Sequence, residues 1–238
     1  MFPVVYGLFR SASGVAGEQR HAVLGSPILA SPTSGQAVVQ FGCGCFWGAE
    51  KGFWRLPGVI TTAVGYAGGQ TDAPTYTAVC SGTTGHAEVV RVVWDRARLD
   101  FSDLLRLFWE CHDPTQGDRQ GNDRGSQYRS AIFVDDPADL ELALASRDHY
   151  ARLLATAGRG PITTEIASGR PFHAAEPYHQ QYLAKPGSRP YCSAQPTGIN
   201  LGDFPGAAYQ LPDSVWQQYD WSIPHCILRG ANTPIPLC

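Results

Sequence analysis

Residues 36–56 read QAVVQFGCGCFWGAEKGFWRL and place a strand, a glycine turn and a helix in immediate succession. The apolar run over 37–41 predicts a short buried strand. The aromatic and alanine spacing over 46–56 predicts a helix with one apolar face, and the Pro-Gly pair that follows predicts its end. This arrangement puts the thiol of Cys45 at the start of a helix, directly after a tight turn.

Outward from this segment, strand and helix patterns follow one another without a regular strand–helix–strand repeat. The predicted strands cover 59–65, 88–94, 130–134 and 162–166, and the predicted helices cover 101–112, 137–157 and 176–183. Such a mixture favours an α+β fold, built as a single two-layer domain with irregular N- and C-terminal extensions.

The sequence divides into three regions by its proline content and its hydrophobic periodicity. We expect an N-terminal extension over 1–35, an α+β domain that carries the chemistry over 36–184, and a Pro-rich C-terminal tail over 185–238. Eight of the eighteen prolines lie in 186–238, where little periodicity remains, so we expect this tail to lie over the domain.

Composition narrows the possible partners. The 238 residues carry a net charge of −3, with 16% charged residues and no run of Lys or Arg, which argues against nucleic acid. The longest uncharged stretch, 21–49, contains prolines, serines and glutamines and is too polar to span a membrane.

Seven cysteines cannot all be paired within one chain. We therefore expect a monomer in the reducing cytoplasm, with import into an organelle as the alternative.

The thiol of Cys45 is the first candidate for chemistry. Free N–H groups and the positive end of the helix dipole stabilise a thiolate, so we expect a lowered pKa and a nucleophile near neutral pH. A buried, inert cysteine is the alternative. The glycines do not form a dinucleotide site, because Trp47 occupies the place of the third glycine, and no phosphate-loop lysine is present. Cys43 and Cys45 resemble half of a zinc site, but no second close Cys/His pair is evident in the sequence, so we expect no metal.

A carboxyl and two phenols complete a possible site. Glu88 lies at the start of the strand predicted over 88–94, where partial burial would keep its proton for general acid catalysis, although an ordinary solvated glutamate fits the same position. Asp123 and Tyr128 lie in a polar loop and offer an acceptor and a donor. With Tyr76, and with the aromatic pair after Cys45 as a wall, this set suits reduction of a polarised oxygen on sulfur.

Five segments resemble the type A peptide methionine sulfoxide reductases, in the order of that family. They are GCFWG at 44–48, GYAGG at 65–69, VCSGTTGHAE at 79–88, GNDRGSQYRS at 121–130 and AEPYHQQYL at 175–183. The resemblance extends over about 36–192. HAVLG at 21–25 also resembles the N-terminal extension of longer members, which argues against a cleaved presequence before it.

The resemblance implies a domain of ferredoxin-like character that reduces the S-epimer of methionine sulfoxide, free or in oxidised proteins. It implies no bound cofactor, since thioredoxin, or dithiothreitol in the test tube, supplies the electrons. The implied roles are Cys45 as the nucleophile that becomes sulfenic acid, Glu88 as proton donor, Tyr76 and Tyr128 as donors to the sulfoxide oxygen, Asp123 as their polar support, and Phe46 and Trp47 as the holder of the substrate methyl.

The recycling thiols depart from the family pattern. Cys192 follows a KPGSRPY turn of the expected kind, so it is the predicted resolving cysteine. The place of a further family cysteine is occupied by Asn200, which leaves Cys226 and Cys238 as possible relays. Cys43 is a third candidate, although a disulfide with Cys45 would close a strained ring. The remaining cysteines, Cys80 and Cys111, are predicted to be structural.

Two other classes of protein remain open from the sequence. A cysteine hydrolase would use Cys45 with His86 or His179 as its base. A redox-sensing or partner-binding module without enzymatic turnover would use the long tail.

Overall fold

The computed structural model of the chain describes residues 19–237. The predictions made for Cys238 and for the first 18 residues of the N-terminal extension lie outside the described residues. No helix within the described range is long and apolar enough to cross a membrane.

Eight strands and five α-helices make up the described chain, together with three short 3-10 turns. The elements are β1 Gln36–Cys43, α1 Phe46–Trp54, β2 Val59–Ala67, α2 Tyr76–Cys80, β3 Ala87–Asp95, α3 Phe101–Cys111, β4 Arg119–Gln120, β5 Asp123–Arg124, β6 Ser130–Phe133, α4 Pro137–Thr156, β7 Glu165–Ala167, β8 His173–Ala174 and α5 Asp213–Trp216, with 3-10 turns at Ser126–Tyr128, Tyr182–Ala184 and Cys226–Arg229.

A six-stranded mixed sheet forms the frame, in the order β7-β6-β1-β3-β2-β8. All pairs are antiparallel except β6 with β7. The central strand β3 is valine-rich because both of its faces are covered: Val90 and Val92 point into the main core, and Val89 into a smaller cluster on the opposite face. The predicted α+β class is confirmed.

Aromatic stacking joins the sheet to two helices on one face. The ring of Phe41 on β1 stacks on Phe53 of α1 at 4.7 Å and on Phe108 of α3 at 5.2 Å between ring centroids. Helix α3 begins with a capping box. The side chain of Asp100 accepts a backbone N–H of the first turn, and the side chain of Asp103 accepts the backbone N–H of Asp100. The stacking therefore packs α1 and α3 against the same strand of the sheet.

The structure corrects the sequence prediction in three places. The helix predicted over 176–183 is wrong, because the segment forms turns that end in the 3-10 turn Tyr182–Ala184. Its side chains bind backbone elsewhere: Gln180 accepts from the N–H of Val64 and donates to its carbonyl, which ties the segment to β2. The strand predicted over 162–166 begins only at Glu165, and the short helix α2 was not predicted.

The C-terminal tail enters the core and does more than lie over it. Its buried apolar residues include Leu201, Phe204, Leu211, Val215, Trp216, Trp221 and Ile227. Carboxylates of α3 fasten the tail backbone, since Glu110 accepts the N–H of Leu201 at 2.8 Å and Asp103 accepts that of Gln210 at 2.9 Å. The tail is therefore part of the scaffold behind the first helix.

Candidate active site

A strained turn presents the candidate nucleophile. Strand β1 ends at Cys43, Gly44 adopts φ +84°, and Cys45 is the N-cap of α1. A side chain at position 44 would be strained by that φ, and its Cβ would lie 2.6 Å from the Cβ of Gln120. Only glycine fits there, and the consequence is that Cys45 stands at the first free N–H groups of the helix, 8% exposed.

A carboxyl lies on the same helix end. Glu88 on β3 is opposite Tyr66 of β2, is 2% exposed, and its Oε2 accepts the backbone N–H of Phe46 at 3.1 Å. Burial raises its pKa to about 8, with the hydrogen bond from Phe46 acting in the opposite direction and the charge of Asp123 adding to the rise. The carboxyl therefore holds its proton at neutral pH.

The predicted lowering of the Cys45 pKa is wrong. Burial raises this pKa well above the ordinary value, and the charge of Glu88 adds to the rise. The N–H of Trp47 does act to lower it, as the helix-start prediction supposed, but this smaller effect does not prevail. The first N–H of the helix is occupied by Glu88, so the helix end stabilises the carboxyl as well as the thiol.

The two predicted phenols lie within electrostatic reach of Glu88. Burial raises the pKa of Tyr76 and that of Tyr128, and the charge of Glu88 contributes to both shifts. Both hydroxyls are thus protonated at any physiological pH and available as donors. Asp123, on β5, accepts a hydrogen bond from the hydroxyl of Tyr191. The structure therefore brings a thiol, a neutral carboxyl and two phenols to one end of α1.

Aromatic rings surround His179 beside the thiol. Phe46 is buried, and its ring lies 5.2 Å from that of His179. Trp47 is half-buried, stacks on Tyr182 at 3.9 Å and donates its indole N–H to Nδ1 of His179 at 3.1 Å. The ring of Tyr76 lies 4.5 Å from the same imidazole. The result is an apolar wall with one exposed edge, next to the polar groups.

Neither histidine is arranged as the base of a cysteine hydrolase. Nδ1 of His179 accepts from Trp47, and burial lowers the pKa of His179 to about 4, so the ring is neutral. Nδ1 of His86 accepts the N–H of Gly69, and its Nε2 is 2.9 Å from the carbonyl of Thr71. Both rings have roles in holding loops, and no hydrogen bond joins either to Cys45 in the described chain.

Several supporting residues were missed individually, although they lie in the quoted motifs. Tyr66 donates its hydroxyl to Oε2 of Glu176, and Oε1 of the same carboxylate accepts the N–H of Tyr76. Glu176 therefore fixes the start of α2 and with it the ring of Tyr76. The signal was present in GYAGG and AEPYHQQYL, but no pattern rule ties a glutamate at 176 to a backbone N–H one hundred residues earlier.

The predicted resolving thiol packs against the first turn of α1. A Cβ at Gly48 would lie 2.5 Å from Sγ of Cys192, so the glycine leaves just enough room for this sulfur. Cys192 is 5% exposed, and burial raises its pKa to about 12. The charge of Cys192 also contributes to the raised pKa of Cys45, which places the two thiols in one electrostatic environment.

Three further thiols differ in their surroundings. Cys226 and Cys111 line, with Cys192, a closely packed spot beneath the tail that has no room for a water molecule. Burial raises the pKa of Cys226 to about 12, and the charges of Cys111 and Cys192 add to it. Cys80 is exposed at the end of α2. Its prediction as a structural residue has no burial to support it.

Two cysteines and a histidine lie close together in the core. The sequence, from which we expect no metal, did not predict this group. Ligand atoms of Cys43, Cys111 and His112 all lie within 4.8 Å of one another. However, Nδ1 of His112 lies 2.7 Å from the carbonyl of Phe108 and must carry a proton there, and Nε2 lies 2.8 Å from Oγ of Ser130. With both ring nitrogens occupied, the group offers two thiols and no imidazole ligand.

The fold and the site define a thiol-based oxidoreductase, with the candidate nucleophile Cys45 at a helix start beside the buried carboxyl of Glu88. The family model described as peptide methionine sulfoxide reductase matches residues 37–200. The chain belongs to this family, and the resemblance to its type A members is confirmed.

Curated relatives are similar over most of the chain. The peptide methionine sulfoxide reductase MsrA of Salinispora arenicola is 56% identical over 184 residues, which cover 76% of this chain and 83% of that protein. The MsrA of Azotobacter vinelandii is 57% identical over 182 residues, with 76% and 83% covered.

Solved structures are similar as well. Methionine sulfoxide reductase A of Corynebacterium diphtheriae gives a TM-score of 0.69 at 46% identity and covers 76% of this chain and 87% of its own. Reduced Mxr1 of Saccharomyces cerevisiae gives 0.62 at 32% identity, with 69% and 92% covered. The described fold is therefore that of known members of the family.

Proposed function

We propose that this protein reduces methionine S-sulfoxide, free or within oxidised proteins, to methionine with the thiol of Cys45. The observation that carries the proposal is the contact of Glu88 with the N–H of Phe46, which holds a protonated carboxyl beside the thiol. A nucleophile for sulfur and an acid for oxygen are the two groups that sulfoxide reduction requires.

The first step transfers oxygen to the enzyme. Sγ of Cys45 attacks the sulfoxide sulfur while Glu88 donates its proton to the sulfoxide oxygen, and the thiol proton restores Glu88. The attack forms a bond between Sγ of Cys45 and the substrate sulfur. The hydroxyl then passes from the substrate sulfur to Sγ as this S–S bond and the substrate S–O bond break, so that methionine leaves and Cys45 becomes the sulfenic acid. The substrate sulfur is reduced by two electrons and the cysteine sulfur is oxidised by two, so atoms and electrons balance.

The polar side of the site binds the sulfoxide oxygen of the substrate, and the apolar side binds its methyl group. Tyr76 and Tyr128 donate hydrogen bonds to the oxygen, which gains charge in the transition state, and Asp123 supports that side through its contact with Tyr191. The rings of Phe46 and Trp47 enclose the methyl group on sulfur, because an apolar group binds best against apolar side chains.

The second step regenerates the thiol. Cys192 attacks the sulfenic sulfur of Cys45, which forms a disulfide and releases water, and an external dithiol of the thioredoxin kind then reduces the disulfide. The electrons come from thiols throughout, so no prosthetic group takes part. A reducing compartment, the cytoplasm, supplies that dithiol.

Among the other thiols, Cys226 is the better candidate for a relay. It lines the same closely packed spot beneath the tail as Cys192, and the charge of Cys192 contributes to its raised pKa, so the two thiols are neighbours. Cys43 faces Cys111 and His112, which draws its sulfur toward the core and away from a second disulfide.

The test is turnover of the S-epimer of N-acetyl methionine sulfoxide with dithiothreitol. We expect the wild-type protein to form N-acetyl methionine and to leave the R-epimer untouched. Cys45→Ser should lose all activity, because a hydroxyl is a far weaker nucleophile than a thiol, while the exposed Cys80→Ser serves as the matched control and should keep it. Full activity of Cys45→Ser would refute the assignment of the nucleophile.

A further inference from the structure

Two buried cations of α1 lie under the C-terminal tail. Lys51 and Arg55 are each 4% exposed and stand one helical turn apart, on the same side of the helix. Within residues 19–237 neither forms an ion pair with an acidic residue. Burial, and next the charge of Arg55, lower the pKa of Lys51. Two like charges at this spacing increase the cost of burying either one.

The guanidinium of Arg55 keeps its donors free. Its Nε and Nη1 are buried, and no described residue accepts a hydrogen bond from them. One face packs on Gly230, where a Cβ would lie within 2.2 Å of Nη1, and the central carbon lies 5.2 Å from the ring centroid of Tyr219. The ring attracts the charge but accepts no conventional hydrogen bond, so the donors remain unsatisfied.

Both cations border open space. Arg55 lines a surface pocket of about 310 Å³, together with Arg229 and Asp220. Lys51 lines a second pocket of about 350 Å³, and Gly230 and Ala231 line both pockets, so the two adjoin. The Lys51 Nζ donates to the Gly230 carbonyl at 2.7 Å, which leaves two of its three donors for a ligand.

The charge balance of the two pockets is positive. Their lining holds three cations against one carboxylate, that of Asp220. This carboxylate already accepts from the N–H and the hydroxyl of Ser222. The site therefore offers positive charge and room, and no described residue accepts from Nε and Nη1 of Arg55.

We propose that Arg55 and Lys51 form a binding site for an oxyanion beneath the tail. Carboxylate, phosphate or sulfate oxygens would accept from the planar fork of Arg55 and from the ammonium of Lys51, with charge-assisted hydrogen bonds. Such a ligand would bridge α1 to the turn Cys226–Arg229 and fasten the tail. The site lies apart from the sulfoxide chemistry and does not depend on it.

Thermal unfolding of the full chain tests the site. The probes are sodium phosphate, sodium sulfate and sodium acetate, each against sodium chloride at the same pH and ionic strength. At about five times the dissociation constant, the binding anion should raise the Tm by about 2–4 °C over chloride. The rise should vanish in Arg55→Met and persist in Arg152→Met, which changes an exposed arginine of α4. Calorimetric titration of phosphate into both variants gives the binding directly.

The outcomes separate the ligand classes and can overturn the site. A rise with phosphate and sulfate alone identifies a tetrahedral oxyanion, and a rise with acetate identifies a carboxylate. Arg55→Met should fold, since it replaces an unpaired buried charge by an apolar chain of similar length, and in chloride its Tm should equal or exceed that of the wild type. Lys51→Met should weaken anion binding as a second variant. Equal Tm values in all four salts, or the same rise in Arg55→Met, would refute the proposal.

Discussion

At the scale of single residues, the proposed role of Glu88 as proton donor predicts how sulfoxide reduction depends on pH. Its pKa of about 8 means that half of the molecules lose the proton donor at that pH. We expect the single-turnover rate of methionine formation to fall as the pH rises through 8. Glu88→Gln should reduce this rate by roughly 10²–10⁴-fold, since an amide cannot replace an acid, and should remove the fall.

The thiol would produce the opposite dependence. Because the pKa of Cys45 lies well above its ordinary value, ionisation of this thiol alone would raise the rate with increasing pH. Single-turnover rates measured by quenching the reaction between pH 6 and 10, for the wild type and Glu88→Gln in parallel, distinguish control by the carboxyl from control by the thiol. A wild-type rate that climbs steadily through pH 8 to 10 would contradict the role of Glu88 as acid.

At the scale of elements, the first turn of α1 must accommodate the sulfur of Cys192, the predicted resolving thiol. Gly48→Ala should improve helix propensity by about 1 kcal/mol, but its Cβ would meet Sγ of Cys192 at 2.5 Å. We expect the first turnover to be preserved and thioredoxin-dependent steady-state turnover to drop by about tenfold or more. Gly52→Ala in the same helix is the control, since its Cβ meets the ends of two flexible side chains, Ile227 at 3.0 Å and Leu107 at 3.6 Å, and no thiol closer than 3.9 Å.

The measurement compares the burst of methionine with the later steady rate. Cys192→Ser sets the limit, because it should stop after one turnover. If Gly48→Ala cycles as fast as Gly52→Ala, the packing of Cys192 on this turn has no part in resolution.

Elements with a clear period could be predicted from the sequence, and elements held by distant side chains could not. Strand β3 and helix α3 were predicted to within one residue at each end, because a valine-rich run broken only by Arg91 and a capped amphipathic run leave few alternatives. The segment 176–183 has a helical composition, but Gln180 and Glu176 bind backbone of β2 and α2 instead. Such pairings become visible only in three dimensions.

In the candidate site, too, one feature could be predicted from the local sequence and another could not. The placement of Cys45 at a helix start followed from the glycine turn and is what the structure contains. The direction of its pKa shift did not follow, because burial and the carboxyl of Glu88, 43 residues away, outweigh the helix end. Local sequence determines where a group stands, whereas its pKa depends on everything packed around it.

At the scale of the whole molecule, a buried hydrogen-bond network joins the N-terminal segment to the core. His21 accepts the N–H groups of Val23 and Leu24 at Nδ1, and its Nε2 lies 2.8 Å from Oγ1 of Thr62. Thr62 in turn donates to Glu50 of α1. The same carboxyl accepts the backbone N–H of Gln181, so one buried glutamate connects four parts of the chain.

Opposing pKa shifts in this molecule predict how its stability varies with pH. Burial raises the pKa of Glu50 to about 7 and that of Glu88 to about 8, so their contributions are fully present below about 4.5 and are lost as the pH rises through 7 and 8. Burial lowers the pKa of His21 and of His179 to about 4. Their contributions are present above 6.5 and are lost as the pH falls through 4.

Between pH 4.5 and 6.5 the two pairs oppose each other, and of these four groups only the two glutamates still change protonation above 6.5. We therefore expect the free energy of unfolding to fall by about 2 kcal/mol from pH 6.5 to 8.0, because each proton that only the folded state retains corresponds to about 1.4 kcal/mol for every pH step of one. Urea unfolding at the two pH values measures the difference. Glu50→Gln keeps the volume and the acceptor toward Thr62 and should remove the part of the fall that belongs to Glu50, whereas Glu141→Gln, at an exposed position of α4, should leave the fall intact. A stability that is flat or rises over this interval would show that neither carboxyl is held neutral by the fold.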